Sequence, residues 1–299
     1  MKNQRKGFTI VELTLAMAFV GILLISIAVL VIRVTAIYQH GLAIRAVSSG
    51  GRQLIDDLSR SISASPIVDV AYIPSRDDEI TANITKKQER FTYKYYFQKT
   101  VSDSELGLDL KGSSVPVAGA FCTGLYTYIW NTAYAINSYK PDGVGSFKGF
   151  TYTYSGGTLP DAENPPFRLI RIPDSERSIC ISQRLEDGKI KESTSSFVAP
   201  SNQGDPVELL PAVEDDLALY DFRAFPASTS RITGHIFYSN TFILATLKGG
   251  VDITRKGDYC TVDGDTLGTD FNYCSINKFN FAMRATGELR GGNYVQGGE

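Results

Sequence analysis

The sequence is short of the residues and motifs on which catalytic sites are commonly built. It holds only two histidines, His40 and His235, which are too few and too far apart to suggest a metal-binding triad. No serine stands in a G-x-S-x-G elbow, and no phosphate-binding G-x-x-x-x-G-K-[ST] or G-x-G-x-x-G motif occurs. We therefore expect that the protein is not an enzyme and that, calcium aside, it carries no cofactor.

An excess of positive charge is also absent. The chain has 30 lysines and arginines against 32 aspartates and glutamates, a formal net charge of −2. Proteins that hold nucleic acid through its phosphates usually present a basic field. The overall charge gives no support for nucleic-acid binding, which would need a local basic patch.

Cysteine is scarce, and the four that occur all follow the long apolar segment described next. They are Cys122, Cys180, Cys260 and Cys274. No C-x-x-C pair is present, which argues against a zinc site. An even number of cysteines in an exported segment favours disulfides, and four cysteines allow three connectivities.

One long apolar run dominates the N-terminus, extending from Phe8 to Ile32 with a single charged residue, Glu12. As a helix it would be about 37 Å long, enough to cross the core of a bilayer. A cleavable secretory signal has a shorter apolar core of about 7 to 15 residues. Three basic residues precede the run and should hold the N-terminus in the cytoplasm. We predict that residues 8–32 span the membrane and that the following chain is outside.

Glu12 stands just inside the apolar run, and a carboxylate at the centre of a span costs on the order of 2 to 3 kcal/mol. A charge in this position needs a partner or a function; the alternative is that Glu12, one turn from the interface, extends its carboxylate to the headgroup region. The segment Lys6-Gly7-Phe8-Thr9-Ile10-Val11-Glu12-Leu13 closely resembles the processing motif of type IV pilins and pseudopilins. The resemblance implies that prepilin peptidase removes residues 1–7 as a leader peptide by cutting after Gly7. It also implies N-methylation of Phe8.

The same resemblance implies a role for Glu12 in filament assembly. In the family this glutamate neutralises the N-terminal amine of a neighbouring subunit. Such a pair attracts strongly in a low dielectric, although desolvation offsets much of the gain, so we expect it to set register. The implied partners are other pilin subunits, prepilin peptidase and a membrane assembly platform. A surface or DNA ligand is not identified by the sequence.

The apolar periodicity continues past the membrane span. Between residues 33 and 65, apolar residues recur mostly every three or four positions, which predicts an amphipathic continuation of the helix to about residue 64. Ser65-Pro66 should end it, because the residue before a proline avoids the helical region. Gly21, Gly41, Gly50 and Gly51 are unfavourable in a helix and mark places where we expect it to bend or melt. Close helix packing at the small residues Ala16, Ala18 and Gly21 is the alternative. A long first helix, half embedded and half under a globular head, is similar to the pilin plan.

After residue 66 the sequence pattern changes to short runs of β-branched and aromatic residues that are separated by turn residues. This pattern predicts antiparallel strands. The fold class is therefore α+β: a long N-terminal helix packed on a mainly antiparallel β-rich head over residues 66–290, with a flexible tail at 291–299. Trp130 and Tyr134 are expected to pack in the core. We expect long loops at residues 74–90, 103–120, 155–166 and 188–206. We expect strands at Phe91 to Gln98, Gly124 to Ile136, Phe147 to Tyr154, Phe167 to Ile172, Ile179 to Arg184, Leu217 to Phe225, Ile232 to Leu247 and Ile276 to Thr286.

Two features near the C-terminus bear on chemistry. Many pilins have a disulfide-bounded loop there, and this resemblance favours pairing Cys260 with Cys274, which leaves Cys122 for Cys180. Three carboxylates between Cys260 and Cys274 form a candidate calcium site. They are Asp263, Asp265 and Asp270. The loop departs from the EF-hand pattern, and a solvated acidic turn is the alternative.

These observations predict a structural and interaction subunit, a minor pilin of a type IV pilus-like filament. A pseudopilin of a type II secretion or DNA-uptake system is the alternative within the class. A signal-anchored surface protein that keeps its first seven residues is the alternative outside it.

Overall fold

The fold is known from a computed structural model. It describes residues 9–65, 73–74, 90–93, 96–106, 114–123, 125–139, 147–154, 156–160, 166–174, 181–186, 189–193, 205–210, 217–230, 235–247 and 275–285.

Two helices and fourteen strands lie within these residues. The helices are α1 (Ile10–Ala64) and α2 (Ala133–Ser138), and one 3-10 turn covers Asp103–Leu106. The strands are β1 (Ile73–Pro74), β2 (Arg90–Tyr93), β3 (Tyr96–Ser102), β4 (Ser114–Cys122), β5 (Tyr126–Asn131), β6 (Tyr152–Tyr154), β7 (Gly157–Leu159), β8 (Leu169–Pro173), β9 (Ile181–Glu186), β10 (Lys189–Ser193), β11 (Val207–Glu208), β12 (Leu217–Ser230), β13 (His235–Thr246) and β14 (Ile276–Ala285).

Helix α1 is continuous over 55 residues, which makes it about 80 Å long. It ends at Ala64, where Ser65 turns to extended backbone and donates its N–H to the carbonyl of Ile62 at 3.1 Å. The predicted end of the helix is thus confirmed. The helix is continuous through Gly21, Gly41, Gly50 and Gly51, so it is not melted at any of these glycines.

The strands pair antiparallel throughout the described residues, which confirms the α+β class. A five-stranded sheet has the order β11-β8-β5-β4-β3, and a three-stranded sheet has the order β12-β13-β14. A four-stranded sheet, β1-β2-β9-β10, and the hairpin β6-β7 complete the set. The longest pairing joins β12 and β13, from Leu217 opposite Thr246 to Ser230 opposite His235.

The main hydrophobic core is shared by the second half of α1, the five-stranded sheet and the three-stranded sheet. Its members are Val47, Leu54, Leu58, Ile62, Phe121, Tyr128, Trp130, Leu169, Leu210, Leu217, Leu219, Phe222, Ala224, Tyr238, Phe242, Leu244 and Ala285. Trp130 is 1% exposed, as predicted for a core residue. Burying a side chain the size of leucine stabilises the fold by about 1.5 to 3 kcal/mol, so the helix is an integral part of the head.

A second apolar cluster of Phe97, Ala118, Ala120, Ile129, Phe150, Tyr152, Phe167, Ile170 and Ile172 involves β3, β4, β5 and β8 and the hairpin β6-β7. Asn131 is buried here, and its side chain forms hydrogen bonds with the backbone of two neighbouring segments, at Phe150 and Phe167. Its Oδ1 accepts the N–H of Phe150 at 2.7 Å, and its Nδ2 donates to the carbonyls of Phe150 and Phe167 at 3.2 and 3.1 Å. One amide side chain thus satisfies three backbone groups.

Several local expectations were wrong. Strand β4 lies in the expected loop 103–120. A loop was expected because Pro116 and the small residues of this segment are poor strand formers. The segment forms a strand because most of it is buried in the sheet. Helix α2 replaces the end of the expected strand at 124–136, since Thr132 bonds back to Pro116 and Val117 where the chain leaves the sheet. Strands β7 and β10 fall in the expected loops 155–166 and 188–206, and only 152–154 of the expected strand 147–154 is extended in a ladder.

Candidate functional site

The candidate functional site is α1, whose two halves have opposite surroundings. The start of the helix is fixed by Thr9 and Glu12, which cap each other. Thr9 donates its N–H and its Oγ1 hydroxyl to Glu12 Oε2 at 2.9 and 3.0 Å, and Glu12 donates its N–H to Thr9 Oγ1 at 3.3 Å. This reciprocal arrangement satisfies backbone donors that a helix start would otherwise leave open. Gly7 and Phe8, the expected cleavage position, lie outside the described residues.

The first half of α1 is apolar and uncovered. None of its most apolar 18-residue window is buried, and it is the one helix among the described residues long and apolar enough to cross a membrane. The exposed large apolar side chains run from Ile10, Val11 and Leu13 through Leu30, Val31 and Ile32 to Val34, Ile37, Tyr38, Leu42 and Ile44. A contiguous apolar surface of this size requires lipid or another protein around it.

The second half of α1 packs so closely on the head that two of its contact positions, Gly50 and Gly51, have no room for a side chain. A Cβ on Gly50 would lie 2.7 Å from Leu217 Cδ1. A Cβ on Gly51 would lie 2.1 Å from Phe279 Cζ. These two glycines therefore allow the helix to approach the three-stranded sheet closely.

Polar contacts fix the helix at the five-stranded sheet. Tyr128 donates its hydroxyl to Asp57 Oδ2 at 2.8 Å, and Arg171 forms an ion pair with Asp57 Oδ1. Ser61 and Thr123 share a buried hydroxyl–hydroxyl hydrogen bond of 2.8 Å. Burial raises the pKa of the Tyr128 phenol well above its usual value near 10.

Sequence reasoning missed these contacts. Asp57 directly precedes buried Leu58 and sits at the border of the buried helix face, and a charge at such a border was the available signal. Its partners could not be named from the sequence, because Tyr128 and Arg171 are 71 and 114 residues away.

Cys122 is disulfide-bonded and buried at the end of β4. The hydroxyl of Thr127 lies 3.5 Å from its Sγ and donates to buried Asp174 at 2.8 Å. Cys180, Cys260 and Cys274 lie outside the described residues, so the pairing stays a prediction.

The candidate calcium ligands Asp263, Asp265 and Asp270 also lie outside the described residues. Within the described part of the chain, no group of three or more histidine, cysteine, aspartate or glutamate side chains is placed to hold a metal ion.

Comparisons with known proteins add no family. No family model matches the chain, no curated protein matches it, and no solved structure matches its fold.

Proposed function

We propose that the chain is a minor pilin, a structural subunit of a type IV pilus-like filament assembled through α1. The observation that carries the proposal is the division of one unbroken helix, whose first half is bare and apolar while its second half belongs to the core of the head. This design lets one element be held by lipid before assembly and by other helices afterwards, while the head stays folded. The motif Lys6-Gly7-Phe8 to Glu12 supports the same assignment through its resemblance to prepilin processing motifs.

The geometry at the helix start supports a role for Glu12 in assembly. Its carboxylate accepts the N–H of Thr9, so it lies beside the peptide unit that follows Phe8. Cutting after Gly7 would create a free amine on Phe8, the residue that precedes Thr9 in the chain. In the assembled filament, Glu12 exchanges its local partner Thr9 for the amine of a neighbouring subunit.

Export of the head has independent support. A disulfide persists in an oxidising compartment and is rare in the cytosol, and Cys122 is disulfide-bonded. The three basic residues before the apolar run favour the same orientation, with the N-terminus inside. The precursor is thus a single-pass protein of the cytoplasmic membrane whose head lies outside.

The test is intact-mass and N-terminal peptide analysis of the full chain expressed with and without a prepilin peptidase. Loss of residues 1–7 and a methyl group on Phe8, both dependent on the peptidase, are expected. The variant Gly7→Val should stay uncut, while Gly41→Val, with open space at the new side chain, should be processed normally. An uncut N-terminus in the presence of an active peptidase would instead indicate a signal-anchored surface protein.

Three further measurements separate the alternatives within the class. A minor pilin is present in purified filaments at low copy number relative to the main subunit. A pseudopilin of a type II secretion system is recovered with the secretion apparatus, and a DNA-uptake subunit retains DNA in a salt-sensitive manner.

A further inference from the structure

Strand β14 forms one edge of the three-stranded sheet, and among the described residues no strand pairs with its outer side. The strand is ten residues long, contains no proline, and pairs with β13 in one register without a bulge. The backbone of a long, regular edge strand offers a row of N–H and C=O groups to any further strand. Proteins usually blunt such edges by shortening, bending or covering them.

The other sheet edges of the described chain are blunted. Strands β1 and β11 have two residues each, and β6 and β7 have three each. The ladders that hold β3 and β10 contain irregularities, between Lys99 and Thr100 and between Ile190 and Glu192. Within the part of the chain that the structure describes, β14 is thus the long edge that keeps a regular backbone.

The opposite edge of the same sheet, β12, is covered by the five-stranded sheet. Tyr96 donates its hydroxyl to the carbonyl of Phe222 at 2.6 Å. Arg168 donates to the carbonyl of Leu217 at 3.1 Å. Further along β12, the register with β13 shifts after Pro226. The described fold therefore protects one edge of this sheet and not the other.

Side chains alternate along β14 between the core face and the outer face of the sheet. Those on the core face pack against the main core yet remain only half-buried; they are Phe279, Phe281 and Met283. Those on the outer face are exposed; they are Lys278, Asn280, Ala282 and Arg284. Because successive residues of a strand face opposite sides, a strand added to this edge would set its own alternate side chains beside these two rows.

The exposed row is basic. Its charged members are Lys278 and Arg284, and β14 contains no aspartate or glutamate. Opposite charges on adjacent strands attract each other, whereas like charges oppose pairing. The strand that matches this edge is therefore apolar at every second position and acidic in between.

A second copy of β14 does not fit this pattern. Pairing two copies edge to edge would bring four positive charges and no negative charge onto the sheet. A subunit present at low copy number also has few copies of itself to meet. The matching strand therefore comes from a different protein.

We propose that the outer edge of β14 binds an extended segment of another protein as a fourth strand of the sheet. The segment has apolar side chains at alternate positions, which cover Phe279, Phe281 and Met283. The acidic side chains between them lie beside Lys278 and Arg284. Backbone hydrogen bonds to the edge supply affinity, and the alternation supplies selectivity. The inference goes beyond filament assembly, because α1 serves assembly whereas the β14 edge lets the head hold a partner.

A synthetic strand tests the chemistry. The probe is a fluorescently labelled peptide, as long as β14, in which valine alternates with glutamate. It is titrated with the purified full chain in detergent micelles and followed by fluorescence anisotropy, with empty micelles as the baseline. Saturable binding of one peptide per chain is expected.

Two control peptides separate pattern from composition. One has all its valines before all its glutamates, which keeps the composition and charge but removes the alternation. The other carries lysine in place of glutamate, which keeps the alternation but reverses the charge. Each should bind about tenfold more weakly than the probe, because each loses one of the two features that the edge selects.

Hydrogen exchange locates the bound peptide. A strand added to β14 gives hydrogen-bond partners to the outward backbone N–H groups, so their exchange should slow. We expect exchange in residues 276–285 to slow by roughly tenfold at saturating peptide. Residues 217–224 of β12, at the covered edge, should exchange at the same rate with and without peptide.

Charge variants then test the contribution of Lys278. Lys278→Gln and Arg223→Gln each lower the net charge by one at exposed positions on the same face of the sheet, at opposite edges. A strand added outside β14 lies about 14 Å from β12, whereas charges are screened within about 8 Å at physiological salt. The affinity for the peptide should fall about two- to fivefold with K278Q and stay the same with R223Q. Fluorescence of Trp130 checks that each variant is folded.

The outcomes decide the proposal without involving the filament. A probe that does not bind, that binds no better than the control peptides, or whose affinity does not depend on Lys278 would overturn it. Slow exchange of residues 276–285 in the free chain, unchanged by the probe, would also overturn it and would mean that the chain itself occupies the edge. None of these results bears on processing of residues 1–7, so the filament proposal stands or falls separately.

Discussion

The contact between Gly51 and the head gives a prediction whose sign is opposite to that expected from helix propensity. Replacing glycine by alanine inside a helix normally stabilises a protein by about 0.5 to 1 kcal/mol. At Gly51 the added methyl group would lie 2.1 Å from Phe279 Cζ and 2.5 Å from two further ring atoms. Phe279 packs against the main core and on Phe242, with ring centroids 5.0 Å apart, so it must move or be strained.

The magnitude follows from the cost of overfilling a packed contact, about 1 to 3 kcal/mol. This cost exceeds the gain in propensity, so Gly51→Ala should be destabilising. The matched control is Gly41→Ala in the same helix, where nothing lies within 4 Å of the new methyl group and the propensity gain should appear alone. The two variants should differ in the free energy of unfolding by about 1 to 3 kcal/mol.

Thermal unfolding of the full chain in detergent micelles measures the difference. Fluorescence of Trp130, the single tryptophan and a buried core residue, reports on the head. A difference of 1 kcal/mol corresponds to about 2 to 4 °C in Tm for a domain of this size. Equal stabilisation by Gly51→Ala and Gly41→Ala would refute the close packing of α1 on the three-stranded sheet.

Three further predictions concern the head. Burial raises the pKa values of Tyr96 and Tyr128 above 10 in the folded state. The stability that their protonated phenols contribute is therefore complete below about pH 10 and is lost as the pH rises further. The urea concentration at the midpoint of unfolding, measured between pH 8 and 11, should fall at the upper end of this range. Asn131→Ala leaves three buried backbone groups without their side-chain partner and should lower the free energy of unfolding by about 2 to 4 kcal/mol in the same assay; a loss below 1 kcal/mol would contradict the role of Asn131. Peptide mapping without reductant should recover the Cys122 peptide linked to the Cys180 peptide. Cys122→Ser should then lower the free energy of unfolding by about 4 kcal/mol, because the disulfide closes a loop of roughly 60 residues. A Cys122 peptide linked to another cysteine would contradict this pairing.

The long helix was predictable because its signals are local. The apolar run, the three-to-four periodicity and Ser65-Pro66 lie within the helix or directly after it, and the observed end at Ala64 agrees with them. Local signals gave the wrong result where burial decides. Strand β4 contains Gly119, whose lack of a side chain makes room for Trp130; a Cβ there would lie 2.1 Å from Trp130 Cζ2. No pattern within residues 114–122 reveals that requirement.

The candidate site divides in the same way. The processing motif around Gly7 and Glu12 stays a prediction. The apolar exposure of residues 10–32 could be predicted from the sequence. The role of Gly50 and Gly51 could not, because their contacts with Leu217 and Phe279 join parts of the chain far apart in sequence.

The way α1 enters the core determines how the protein bears mechanical load. Tension applied to the first half of α1 reaches the head along the helix axis, and the buried side chains from Val47 to Ile62 extend about 23 Å along that axis. These side chains are loaded together when the helix is pulled along its axis relative to the sheets, instead of separating one after another. Asp57 and Ser61, bonded to the five-stranded sheet, tie the same length of helix to a second layer. Pulling the helix out therefore requires disrupting the core that it shares with both sheets.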